Sequence, residues 1–237
     1  MKIRTGYPFY GQDVGVLVFS TITPRIPGDA GNAASFGYPV RYQVVQGGFA
    51  DLIEGGEQIK QNLIDACMSL KKVGIRAIVG DCGMMSLYQT ELAAETGLPV
   101  VASSLCQIPI IWELIGRTGT IGIVTGHDEL LREPHLRASG WRDDIKIKLQ
   151  GLQYEPHFNE IVIQGGLNMD VDRMRGDIFN ATRKLVESTP DLKAIIFECS
   201  NISTYSYEIA QEFGIPVFDV MSAANLLHYS VCPDQYL

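Results

Sequence analysis

Basic charge is scarce in this chain of 237 residues, which carries 19 Lys and Arg against 27 Asp and Glu for a formal net charge of −8. A nucleic-acid or anionic-membrane partner needs clustered cations, so neither is expected, whereas small polar or anionic substrates stay open because the field of a site is local. No apolar run approaches the roughly eighteen residues a membrane span needs, and the opening MKIRTGYPFYGQDVG has no apolar leader core. The expectation is a cytoplasmic protein. The five cysteines, 67, 82, 106, 199 and 232, are odd in number and scattered, with no C-x-x-C and no close His/Cys set. That excludes a disulfide framework and a zinc site by pattern and leaves reduced thiols. Neither G-x-x-x-x-G-K-[ST] nor G-x-G-x-x-G occurs, so no cofactor is expected.

What is present is an alternation of strand and helix patterns. VGVLVFS at 14–20, residues 40–45, 77–79, 99–102, TIGIVT at 120–125, 145–149, 194–197 and 216–220 read as short buried strands. Helical stripes fall at 51–73, broken early by Gly55-Gly56, and at 86–96, 105–115, 128–138, 171–187 and 203–213, with a last helix from Ser222. Residues 151–166 give no clear pattern. Such alternation predicts an α/β protein with mainly parallel, doubly wound sheets covered on both faces.

The strongest internal signal is a repeat. AIVGDCGMMSLYQTELAAETGLPVVASS at 77–104 aligns without gaps on AIIFECSNISTYSYEIAQEFGIPVFDVM at 194–221, with about eleven of twenty-eight positions identical. The offset is close to half the chain, which predicts two similar lobes related by a pseudo-two-fold axis, residues 1–117 and 118–237, with the C-terminal segment able to pack back on the first. The repeat pairs Cys82 with Cys199. Ligands of open α/β sheets sit beyond the carboxyl ends of strands, where both cysteines fall, so the two thiols are expected to face one cleft.

A lone cysteine after a strand is most often a small buried hydrophobe, and Cys67 and Cys106 are read that way. Cys82 and Cys199 differ in being followed by Gly83-Met84 and Ser200-Asn201 and then by Ser86 and Ser203, candidate N-caps. A thiol at a helix N-terminus has its thiolate stabilised. Asp81 and Glu198 would oppose this, but strand alternation predicts that they face away. Two matched thiols across a cleft fit inversion at a carbon next to a carboxylate, one removing a proton and the other delivering one. Backbone N–H groups of Gly83, Met84, Ser200 and Asn201 would receive the developing charge.

Further candidates sit at strand ends and in the Gly/Pro-rich segment at 22–39, a loop long enough to be functional. Thr21, Ser103, Ser104 and Thr125 are each either a cap or a carboxylate contact. Arg25 is either a bidentate carboxylate clamp or the partner of Asp29, and Asn32 offers an amide donor. His127 is the histidine best placed to assist a base.

The two-lobed plan, one cysteine per lobe at a strand end, and FECSNISTYSYEIAQEFGIPVFD together resemble the aspartate/glutamate racemase superfamily, which includes hydantoin racemase, maleate isomerase and arylmalonate decarboxylase. The resemblance covers nearly the whole chain. It implies that Cys82 and Cys199 are the catalytic pair and that the residues after each bind the substrate carboxylate. Its amino-acid racemases show Cys-Asn-Thr at the first site, from which Cys82-Gly83-Met84 departs by two side-chain donors. The resulting expectation is a cofactor-independent racemase or epimerase of a small amino acid or related carboxylate, forming a homo-oligomer such as a dimer. A maleate-type cis-trans isomerase, a hydantoin racemase and a non-catalytic small-acid sensor are the alternatives.

Overall fold

In the computed structural model, residues 6–235 are described; residues 1–5, the start of the segment read above as lacking a leader, lie outside them. Eight strands form two sheets: β1 Val14–Phe19, β2 Val40–Val45, β3 Ala77–Gly80 and β4 Val100–Val101 in one, and β5 Thr120–Thr125, β6 Ile147–Gly151, β7 Leu192–Phe197 and β8 Val217–Phe218 in the other. All pairings are parallel, and the orders β2-β1-β3-β4 and β6-β5-β7-β8 are the same order twice. The repeat in sequence is thus a repeat in space. Helices α1 Phe49–Glu54 and α2 Glu57–Lys72 follow β2, α3 Gln89–Thr96 follows β3 and α4 Ile108–Leu114 follows β4, while α5 Glu133–Ala138, α6 Pro156–Phe158, α7 Val171–Ser188, α8 Ser206–Phe213 and α9 Val220–Val231 accompany the second set.

Local chemistry accounts for most boundaries. The stripe at 51–73 becomes two helices because Gly55 and Gly56 both take positive φ. Pro109 does not break α4, since it lies in the first turn, where its missing N–H has no helical partner to lose. Gly97 and Gly214 end α3 and α8 in the left-handed conformation, which disfavours residues with a Cβ. The unreadable segment at 151–166 holds α6 running into a π-helical turn at Asn159–Ile163, a geometry with no period to detect. The last helix starts at Val220, not Ser222, because Asp219 is its N-cap and accepts from the Ser222 N–H at 2.8 Å.

Helix α2 buries Ile59, Leu63, Cys67 and Leu70 on the first sheet, and α7 buries Met174, Ile178 and Leu185 on the second. Helix α9 crosses back, so that Val220, Ala224 and Leu227 pack with Val14, Val16 and Val79 of the first sheet. Ser104, three residues beyond β4, donates to the Phe197 carbonyl of β7 at 2.9 Å, fixing the two sheet ends against each other where the cysteines lie. No helix of the described residues is long and apolar enough to cross a membrane.

Candidate active site

Strand β3 ends at Gly80 and β7 at Phe197, so residues 81–82 and 198–199 lie beyond the ladders. Each chain then winds into a 3-10 turn, Gly83–Tyr88 and Ser200–Tyr205, with Cys82 and Cys199 as the extended N-cap residues. The serines expected to cap these turns do not. Ser86 donates to the His135 carbonyl at 3.0 Å, and the buried Ser203 hydroxyl has no partner among the described residues.

Both thiols open onto one cavity of about 400 Å³, also lined by Thr21, Arg25, Met84, Ser200 and Asn201 from the expected set. His127 lines it as well, with its buried Nδ1 unpartnered among the described residues. The apolar wall is made by Phe19, Phe49, Ile53, Leu130, Val162 and Ile163. Five expected residues do not line the cavity, because their polar atoms are used to hold the frame. Asn32 donates to the Arg25 carbonyl at 2.9 Å and accepts from the Ala34 N–H at 2.9 Å, folding the loop on itself. Ser103 caps the turn at Ser104–Gln107 through the Leu105 N–H, and Ser104 ties β4 to β7. Thr125 donates to Glu198 Oε2 at 2.8 Å. Gly83 has no side chain, but its N–H also donates to Glu198.

The acidic neighbours are where the sequence expectation fails. Asp81 and Glu198 do not face away; both line the cavity with the thiols, since strand alternation stops at Gly80 and Phe197. The effect on the thiols is opposite to that expected from a helix N-terminus. Burial first, and then the Glu198 and Asp81 carboxylates, push Cys82 well above its ordinary value. Burial, Glu198 and Asp29 likewise raise Cys199, against the Asn201 N–H and the Arg25 guanidinium, which favour its thiolate.

Arg25 settles the choice between clamp and Asp29 partner by contacting several groups. Its Nη1 meets Asp29 Oδ1 at 2.9 Å, Asp81 Oδ2 at 2.8 Å and Ser200 Oγ at 3.2 Å, while Nη2 reaches Thr21 Oγ1 at 3.3 Å. Burial pulls the guanidinium down, but Asp81 and Asp29 hold it above its ordinary value. Asp81 is itself pushed up to about 6 by burial, against the pull of Arg25. Asp29 also accepts from the Asn201 amide at 2.7 Å, and Thr204 donates to the Pro27 carbonyl at 2.9 Å. The 22–39 loop therefore leaves the first sheet and docks on the turn that carries Cys199. Among the described residues no group of three His, Cys, Asp or Glu is placed to hold a metal ion.

Asp81 and Glu198 were missed as site residues although the repeat displays them: an acid precedes the cysteine in both copies, as Asp81-Cys82 and Glu198-Cys199.

No protein-family model matches the sequence. Among solved structures, unliganded arylmalonate decarboxylase superposes with a TM-score of 0.62 at 14% identity, covering 94% of each chain. Allantoin racemase from Klebsiella pneumoniae gives 0.62 at 14%, covering 92% of this chain and 87% of its own, and a glutamate racemase from Bacillus anthracis gives 0.56 at 12%, covering 93% and 81%. The fold is that of the aspartate/glutamate racemase superfamily. The curated relatives are of another activity. A dimethylsulfoniopropionate lyase from Durusdinium sp. clade D is 30% identical over 209 residues, 84% of this chain and 68% of the relative. Dimethylsulfoniopropionate lyase 6 from Emiliania huxleyi (strain CCMP1516) is 30% identical over 223 residues, 90% of this chain but 58% of the relative. The chain thus spans about three fifths to two thirds of the length of these relatives. They overturn the expectation of a racemase or isomerase, since one fold hosts several reactions and does not by itself set the reaction type. By its similarity to these enzymes over most of its length, the chain belongs to the dimethylsulfoniopropionate lyase family.

Proposed function

We propose that the chain cleaves dimethylsulfoniopropionate, with the Cys199 thiolate as base at the carbon next to the substrate carboxylate. The observation that carries this reading is the placement of the Arg25 guanidinium: it acts on Cys199, against burial and the Glu198 and Asp29 carboxylates, and contacts Thr21 and Ser200, whereas no cation stands among the groups acting on Cys82. The thiolate takes a proton from C2, the electron pair forms the C2–C3 double bond, and the C3–S bond breaks to expel neutral dimethyl sulfide. A thiolate and a zwitterion thus become a thiol, acrylate and dimethyl sulfide, with atoms and charge in balance. The leaving group needs no proton, so one base suffices, and Cys82 stays a neutral thiol on the opposite wall.

Charge that develops at C2 spreads onto the substrate carboxylate, and Arg25, Thr21 and Ser200 lie together at that end of the cavity to receive it. The apolar wall excludes water, which strengthens these contacts and protects the carbanion from reprotonation. The test is incubation of the purified protein with dimethylsulfoniopropionate, reading headspace dimethyl sulfide and dissolved acrylate together. Equimolar release of both is expected; consumption without acrylate, or no consumption, sinks the reading.

A further inference from the structure

Glu198 stands out among the groups that the elimination itself does not use. Its carboxylate is buried and lines the cavity, held by the Thr125 hydroxyl at 2.8 Å, the Gly126 N–H at 3.4 Å and the Gly83 N–H. These donors fix the position of the group and favour its charged form, against burial, which raises its pKa above the ordinary value, and no basic side chain among the described residues pairs with it. The place it occupies exists because residue 83 is glycine: a Cβ there would land on the Glu198 carboxylate. Across the same cavity, Asp81 Oδ1 is buried and unpartnered among the described residues, while its other oxygen holds Arg25. Two buried carboxylates, Asp81 and Glu198, thus line the cavity against the guanidinium of Arg25, a formal balance of 1 − 2 = −1, while Asp29 supports Arg25 from outside the lining. Such a cavity favours a ligand that brings a positive charge with its carboxylate and disfavours a second carboxylate.

We propose that Glu198, seated in the space left by Gly83 beside Cys82, is the specificity-determining counter-charge for an onium group, with Asp81 Oδ1 as its second anionic contact. This rests on the lyase reading for the identity of the onium, a sulfonium, and extends it by saying which residues read the charge. The rings of Phe19 and Phe49 line the same cavity and offer faces to a methylated cation. With the onium at Glu198, the carboxylate points to Arg25 and C2 lies between them, toward Cys199.

The probes are two carboxylates of the same shape that differ in one charge, 3-(trimethylammonio)propanoate and 4,4-dimethylpentanoate, titrated calorimetrically into wild type and Glu198→Gln. Wild type is expected to favour the onium by roughly tenfold or more, and Glu198→Gln to bring the ratio down by a similar factor. Succinate should bind the variant better than it binds wild type. A wild type without onium preference, which needs no variant to fold, overturns the proposal, as does an unchanged ratio in a Glu198→Gln protein whose melting curve is cooperative. Dimethylsulfoniopropionate turnover by wild type is read in parallel. Turnover with an unchanged ratio discards the role of Glu198 and keeps the lyase; onium preference without turnover discards the lyase and keeps the counter-charge.

Discussion

The turn after β3 and the turn after β7 start from nearly the same sequence and do different work. In both, a short parallel strand ends, an acid and a cysteine follow, and a 3-10 turn leads into a helix closed by a left-handed glycine. They part at the next two residues. Ser200 and Asn201 carry donors and acceptors that bind the 22–39 loop through Arg25 and Asp29. Gly83 and Met84 carry none, and the space that glycine leaves takes the carboxylate of Glu198 from the other turn. One copy is built around a cation and the other around an anion. Under the proposed reading, this shared scaffold would hold a substrate whose two ends differ in charge, which an exact two-fold site would not do.

The comparison breaks most severely at the thiols. Cys199→Ser is expected to lower dimethylsulfoniopropionate turnover about 10³-fold or more, the scale of a lost general base, with Cys82→Ser about tenfold less severe because that thiol is not the base. Steady-state rates of both variants check this, and equal losses would erase the division between the lobes. Arg25→Met comes next. It leaves Asp81 and Asp29 buried without their cation and should cost about 3–5 kcal/mol in denaturant unfolding, together with most of the activity. A variant as stable as wild type would mean that the loop is not held through this cluster.

Gly83→Ala sharpens the comparison at one methyl group. The new Cβ must displace the Glu198 carboxylate, and overpacking of this kind costs about 1–3 kcal/mol, read as a lower melting temperature. Ser200→Ala, the matching change in the other turn, removes one 3.2 Å contact to Arg25 and should cost less. The pH dependence is the gentlest test. Because burial and carboxylates raise both thiols above 9.0, kcat/KM should keep rising with pH through the neutral range rather than levelling off near 7. Stability moves the other way at Asp81. Its folded value of about 6 exceeds the ordinary 3.8, so the folded state binds the proton more tightly, and the stability this gives below about pH 4 is lost as pH rises through about 6. Urea melts between pH 4 and 7 of wild type and Asp81→Asn should converge at the acid end.

Much of the fold was legible because it is written in local terms: apolar runs, their periodicity, and a repeat whose spacing sets two equal sheets. The strand ends were readable to within a few residues, whereas the π-helical turn at Asn159–Ile163 gave no period. The cysteine pair could be singled out because the repeat placed the two thiols in equivalent positions, and Arg25, Thr21, Ser200 and Asn201 do meet them at the cavity. What failed was orientation. Asp81 and Glu198 were assigned to the far side by strand alternation, a rule that ends with the last ladder bond, and the thiols were given a lowered pKa on that premise. Thr125 ends its strand as expected, whereas Ser104 lies three residues beyond β4 in a 3-10 turn, and their hydroxyls go to a carboxylate and a carbonyl of the frame, a choice set by partners some 70 to 90 residues away. The reaction type was not legible either, since the fold and the thiol pair fit several chemistries.

The most direct test of the central claim uses dimethylsulfoniopropionate carrying two deuterium atoms at C2. Removal of a proton from that carbon predicts acrylate that keeps one deuterium at C2, alongside undeuterated dimethyl sulfide. A product that keeps both, or a methyl group transferred to Cys82 or Cys199 in the intact mass of the protein, would contradict it.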